Sequence, residues 1–184
     1  MANGFEILEA SAFMDIMGWN LKEGNLSTAI YTCALKKEVN SSFNHTLKVD
    51  YLVEQVDVNY YDALAIPGGF KDCNYYEDAY NDQFLRIIRS FKEKNKIVAT
   101  VCVGALPLAK SGALKNKNGT TYHNLEYRKE LKSFGVNFIN EPIVEDGNFI
   151  TSCGPSTATD VAFILLEKMT NKENVQKVRQ LMGF

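Results

Sequence analysis

Hydrophobic positions along the chain follow two spacings that alternate. In FEILEASAFMDIMGWNLK, residues 5–22, apolar side chains recur three and four apart, which predicts a helix with one buried face. TAIYTCAL, residues 28–35, is β-branched and aromatic and predicts a strand. Residues 41–58 alternate loosely, enough for a short strand or hairpin. YDALAIPGG, residues 61–69, reads as an apolar strand stopped by Pro-Gly-Gly, and residues 82–95 (DQFLRIIRSFKEKN) as an amphipathic helix. IVATVC, residues 97–102, is a buried strand that runs into a helix over 103–114 ending near Gly112. A short strand at GTTYH, residues 119–123, then a helix through LEYRKELKSFG, come next. VNFINEPIVEDGNFITSCG, residues 136–154, reads as a strand pair turning at Asp146-Gly147. The helix STATDVAFILLEKMT, capped by Ser156 or Thr157, and an amphipathic segment, NVQKVRQLMGF, close the chain. Strands that are apolar throughout and alternate with helices predict a mostly parallel sheet covered on both faces. Residues 1–6, MANGFE, look like the loop after a first strand. Such a fold opens with a buried strand, so either the chain lacks it or the sequence begins late.

Composition narrows the classes. The chain has 184 residues, 46% hydrophobic, which suits a single domain over residues 1–184. A net charge of -2 with both signs mixed along the chain gives no basic stripe for nucleic acid or an anionic membrane. No apolar run reaches the length that crosses a bilayer, and the acidic N-terminus does not resemble an export signal. Four scattered cysteines without a CxxC pair point to a reducing, cytoplasmic setting rather than a disulfide framework, and neither His45 nor His123 sits at zinc-ligand spacing from one.

Candidate chemistry gathers where strands hand over to helices. Cys102 lies at such a joint, in a V-C-V-G turn that resembles a nucleophile elbow, at the sheet edge where open α/β folds place their sites. The following helix end offers unpaired N–H groups and partial positive charge, which would lower the thiol below its free pKa of about 8.5. The alternative is a small buried hydrophobe. AIPGGF brings a second loop to the same edge, and the amides of Gly69 and Val103 are candidates for an oxyanion hole. Glu9 sits among apolar neighbours on the first helix, either buried beside the thiol as a proton carrier or solvated. His123 is a candidate base for Cys102, with Asp160 or Glu126 to orient it, or an ordinary surface histidine. Cys153 reads as structural, Cys33 and Cys73 as bystanders, and His45 has no role.

Taken together, ANGFEILEA, DALAIPGG, ATVCVGALPLAKSGAL and TSCGPSTATDVAFILLE resemble the ThiJ/PfpI superfamily, the group of the Parkinsonism-associated protein, over nearly the whole chain. GTTYHN resembles the family's Thr-Thr-His strand with one residue inserted. The resemblance implies a flavodoxin-like three-layer α/β sandwich, related to class I glutamine amidotransferases, and a homodimer. It further implies a reactive, strained Cys102 hydrogen-bonded to Glu9 and prone to oxidation to sulfinic acid. Family activities differ: glyoxalase or deglycase action on small dicarbonyls without cofactor or metal, redox sensing or protection without turnover, and amidase-like hydrolysis. Peptidase members carry histidine directly after the cysteine; Val103 stands there in this chain, which argues against proteolysis. MANGFE aligns with the loop after the family's first strand, so a late start is the simpler account of the missing strand.

Overall fold

The computed structural model describes residues 1–184. The helices are α1 (Ile7–Glu23), α2 (Tyr75–Ala79), α3 (Asp82–Glu93), α4 (Ala105–Lys110), α5 (Leu125–Ser133), α6 (Ala158–Met169) and α7 (Lys172–Met182). The strands are β1 (Cys33–Ala34), β2 (Glu38–Asn40), β3 (Thr46–Lys48), β4 (Tyr51–Leu52), β5 (Ala63–Ile66), β6 (Ile97–Thr100), β7 (Asn118–Gly119), β8 (Asn137–Phe138), β9 (Ile143–Asp146) and β10 (Phe149–Ser152).

The central sheet has the order β5-β6-β10-β9, parallel except for β9. β10 is buried along its whole length and β6 nearly so, because helices cover both faces: α3 packs on β5 and β6, α6 on β6 and β10. α1 and α7 lie against α6, whereas α4 and α5 continue the α3 layer. This is the flavodoxin-like α/β sandwich expected from the alternation of elements. α3 shows how the pattern becomes packing. Phe84, Leu85, Ile87, Ile88 and Phe91 recur at helical spacing and all are buried, each contributing about 1.5–3 kcal/mol by leaving water. Asn81 starts this helix by accepting the Gln83 N–H.

Several expected strands are shorter. The run from Thr28 forms a strand only at Cys33–Ala34, paired in parallel with β4. Ala29, Ile30 and Tyr31 stay exposed, and no hydrogen bond engages their backbone. β-propensity alone does not make a strand where no neighbour completes the ladder. At GTTYH only Gly119 is in a strand, pairing through β7 with β8. Thr120 leaves the ladder because its N–H goes to the Thr151 hydroxyl. The loosely alternating region, residues 41–58, holds β3 and β4, with β3 pairing back onto β2 just ahead of it, and the Asp146-Gly147 turn joins β9 to β10, with Gly147 at φ +62°. No first strand stands between β5 and β1. Residues 1–6 make only isolated bridges, from Phe5 to Ser41 and to Gly69.

Candidate functional site

β6 ends at Thr100, and Cys102–Gly104 form a single 3-10 turn before α4. Cys102 takes φ +56°, a left-handed conformation that a residue with a Cβ enters at a cost of about 1–3 kcal/mol. Two contacts hold it there. The Thr121 hydroxyl donates to the Cys102 carbonyl at 3.0 Å. Gly104 lets the turn press onto β5, since a Cβ on it would lie 2.5 Å from the Ile66 carbonyl oxygen.

The loop after β5 meets this turn. Gly68 donates its N–H to Glu9 Oε2 at 2.6 Å, and the Glu6 N–H returns to the Gly68 carbonyl at 2.9 Å. A Cβ on Gly68 would stand 3.0 Å from Cys102 Cβ, Glu9 Oε2 and the Val103 nitrogen alike. The doublet's first glycine therefore marks the point where three segments converge. Gly69 is closed in by the Gly4 carbonyl and the Tyr75 ring, and its own N–H makes no hydrogen bond within the chain. Tyr75, fully buried, donates its hydroxyl to the Pro67 carbonyl at 2.8 Å and pins the loop.

Glu9 is fully buried. Glu6 caps α1 by accepting the Glu9 N–H, which fixes where the Glu9 side chain leaves the helix. Burial raises the Glu9 carboxyl to about 8; the Gly68 N–H opposes this, the nearby Glu6 charge adds to it, and a hydrogen bond with Cys102 opposes it. Oε2 accepts the Gly68 N–H and Oε1 makes no hydrogen bond, so a neutral Glu9 carries its proton on Oε1. The thiol behaves opposite to the expectation from its helix end. Burial, then the Glu9 charge, push Cys102 well above the ordinary thiol value, and the Val103 N–H only partly offsets them. A one-turn 3-10 element leading into a six-residue helix does not overcome desolvation of the thiol of a buried cysteine. Once Glu9 is neutral its repulsion vanishes, and its O–H can donate to a thiolate. The two groups act as one acid pair.

Cys102, Glu9, Gly68 and Val103 thus lie together, whereas the neighbours of Gly69 are the Gly4 carbonyl and the Tyr75 ring. His123 does not join them: it is exposed, its ring tilted against that of Tyr122 with centroids 4.1 Å apart, with no hydrogen bond to Cys102, Asp160 or Glu126. Asp160 pairs instead with Arg179 on α7, and Glu126 begins α5 at the surface. Cys33, Cys73 and Cys153 are free thiols outside this cluster. No group of three His, Cys, Asp or Glu side chains is arranged to hold a metal ion. Gly68, Glu6, Tyr75 and Thr121 complete the site without having been singled out by spacing; the glycine doublet was the one local signal that pointed toward any of them.

No helix is long and apolar enough to cross a membrane. The chain is 28% identical over 174 residues to DJ-1 homolog B of Arabidopsis thaliana, covering 94% of this chain and 37% of that protein. An uncharacterized Methanocaldococcus jannaschii protein is 31% identical over 123 residues, covering 67% of this chain and 59% of the relative. The chain therefore spans only part of the length of these two relatives. It is also 31% identical over 127 residues to the deglycase PfpI of Pyrococcus furiosus, covering 68% of this chain and 74% of that one. The fold superimposes on the crystal structure of Drosophila melanogaster DJ-1beta with a TM-score of 0.85 and 25% identity, covering 99% and 94% of the two chains. The sequence pattern of the DJ-1/PfpI family matches residues 1–168, and the chain belongs to that family.

Proposed function

We propose that this protein acts on small electrophilic carbonyls through Cys102, in the manner of a glyoxalase or deglycase and without a cofactor. The observation that carries this reading is the fully buried Glu9 carboxyl set against a left-handed Cys102. A deglycase among the relatives supports the same class. The reactive form is the singly ionised pair, a thiolate facing a protonated Glu9. The sulfur attacks the aldehyde carbon of a 2-oxoaldehyde, a C–S bond forms, and the carbonyl electron pair moves to oxygen. The Gly69 and Val103 N–H groups hold that oxygen until Glu9 protonates it. Glu9, now a carboxylate, removes the proton from the same carbon and returns it to the neighbouring one. The resulting thioester is cleaved by water, releasing a 2-hydroxy acid and the free thiol. One carbon is oxidised and its neighbour reduced, so no outside electron carrier is needed. The proton role goes to Glu9 rather than His123, which lies exposed on Tyr122. An amidase would need a histidine-carboxylate pair at the sulfur, and His123 has no such partner.

Methylglyoxal consumption and lactate formation test this directly. Wild type is expected to turn over, with the rate rising as pH passes about 8, where the pair gives up its first proton. Cys102→Ala and Glu9→Gln are expected to lose turnover while staying folded. Undiminished turnover by Cys102→Ala would overturn the reading. The same Glu9 proton favours a second reading, oxidation sensing: two equivalents of peroxide convert the thiol to sulfinic acid, releasing two waters, and Glu9 donates to the product. Its mark is a gain of about two oxygens in mass at Cys102, absent in Cys102→Ala. A homodimer belongs to this proposal too, with exposed Leu8 and Trp19, about three turns apart on α1, as an apolar surface.

A further inference from the structure

Five of the nine tyrosines form one continuous chain of rings, and it starts against the loop of the cysteine site. A Cβ on Gly69 would lie 2.3 Å from the Tyr75 ring, and one on Gly68 3.0 Å from Cys102 Cβ, so this loop touches both residues. Ring centroids then follow at 5.2 Å from Tyr75 to Tyr76 and 5.0 Å from Tyr76 to Tyr80. A branch leaves Tyr76 for Tyr127 at 6.3 Å and Tyr122 at 6.4 Å, where the ring of exposed His123 lies alongside. Every step is an aromatic contact. Packing alone does not call for tyrosine here. Phenylalanine would fill the same space, and the Tyr76 hydroxyl is buried without a partner, a penalty that phenylalanine avoids.

We propose that Tyr75, Tyr76 and Tyr80 form an electron relay that repairs one-electron oxidation of Cys102, with Tyr80 and Glu130 as its source of an electron and a proton. The hydroxyl partners single out Tyr80. A phenol gives up an electron readily only when a base takes its proton in the same step. Tyr75 donates to the Pro67 carbonyl, which is no such base, and Tyr76 donates to nothing. Tyr80 donates to the Glu130 carboxylate at 2.5 Å, and Glu130 takes part in no ion pair. Burial, then the Glu130 bond, raise the Tyr80 phenol above its ordinary value, so the proton stays on Tyr80 at rest. Lys110 Nζ stands 4.5 Å above the Tyr80 ring and opposes a positive charge there, which ties loss of the electron to loss of the proton. The repair balances. A hydroxyl radical takes the thiol hydrogen and leaves as water, which makes Cys102 a thiyl radical. One electron passes from Tyr80 through Tyr76 and Tyr75 to the sulfur. The thiolate so formed takes the Glu9 proton, the Tyr80 proton moves to Glu130, and a Tyr80 phenoxyl radical remains. A small ene-diol reductant such as ascorbate returns the electron by way of Tyr122 and Tyr127, the Glu130 proton goes back to Tyr80, and Glu9 regains its own from solvent.

The test is pulse radiolysis with azide radicals, which remove single electrons, on protein carrying Trp19→Phe so that no indole competes. A long-lived phenoxyl absorption is expected. Tyr80→Phe should shorten its lifetime about tenfold, and so should Glu130→Gln, which keeps an acceptor for the hydroxyl but loses the base. Tyr60→Phe, at a ring 84% exposed and outside the chain, should leave it unchanged. Under hydroxyl radicals in air, mass spectrometry should find Cys102 passing to sulfinic and sulfonic acid about threefold faster in Tyr80→Phe than in wild type. Neither readout uses carbonyl turnover, so the relay and the proposed reaction fail separately. An unchanged phenoxyl lifetime in Tyr80→Phe or in Glu130→Gln, or equal loss of the Cys102 thiol with and without the Tyr80 hydroxyl, would overturn the proposal.

Discussion

Replacing Glu9 by glutamine removes one titrating group from the core and keeps its shape. The glutamine carbonyl can still accept the Gly68 N–H, and its amide can still face Cys102. In the unfolded chain the carboxyl titrates near its ordinary 4.5; in the folded protein it titrates near 8. Between these values the native state holds the proton and the unfolded state has released it, so raising the pH draws the equilibrium toward unfolding. Stability is complete below pH 4.5 and declines until the folded carboxyl itself ionises. The loss is below about 1 kcal/mol at pH 5 and about 4 kcal/mol at pH 8, a fall of about 3–4 kcal/mol across that window. Other groups titrate alike in the two proteins and cancel in their difference.

The assay is urea unfolding of wild type and Glu9→Gln at half-unit steps from pH 5 to 8, with the denaturant slope checked for constancy. Whatever fixed offset the glutamine introduces, the stability of wild type relative to the variant should drop by about 3–4 kcal/mol, at a slope of about 1 kcal/mol or a little more per pH unit in mid-range. Cys102 is protonated in both states across this window, since burial raises it, so it adds no slope. Parallel pH profiles for the two proteins would show that Glu9 is ionised in the fold. The proton assigned to Oε1, and the proton transfer built on it, would fall with that result.

Two further outcomes follow from the same neighbourhood. Gly68→Ala would place a Cβ 3.0 Å from Cys102 Cβ, Glu9 Oε2 and the Val103 nitrogen at once; a cost of about 1–3 kcal/mol in urea unfolding is expected, with methylglyoxal turnover reduced beyond what lost stability explains, and full activity would refute the convergence of those three segments. Tyr75→Phe removes the donor to the Pro67 carbonyl and leaves that oxygen unpaired in the interior, for an expected loss of about 1–3 kcal/mol, and an unchanged unfolding midpoint would show that the loop does not depend on this bond.

What the sequence made legible was local. α3 could be placed from the spacing of Phe84, Leu85, Ile87, Ile88 and Phe91, because each of those side chains is buried on the face the period defines. Cys102 could be placed at an elbow because an apolar strand and a helix of small residues flank it. The misreadings share a cause, which is dependence on partners distant in the chain. Thr28–Thr32 has strand composition but lacks a neighbour on its inner edge, and Thr120 leaves its strand for the hydroxyl of Thr151, 31 residues away. The five-residue α2, which carries Tyr75, is too short for a periodic signal.

The thiol shows most clearly how far a local argument reaches. A helix end favours an anion through partial charges worth about 0.3–1 kcal/mol when exposed. Burial opposes it, and the depth of burial is set by α1, whose Glu9 reaches Gly68 across 59 residues of chain. That contact also changes the chemistry available. An acid that keeps its proton to about pH 8 beside a sulfur cannot act as a fixed negative charge; below that pH it is a donor, and it becomes a base only after giving its proton away. In the proposed reaction Glu9 alone therefore alternates between acid and base, without an imidazole. That accounts for the arrangement of Glu9, Gly68 and Cys102 with His123 left exposed on the ring of Tyr122.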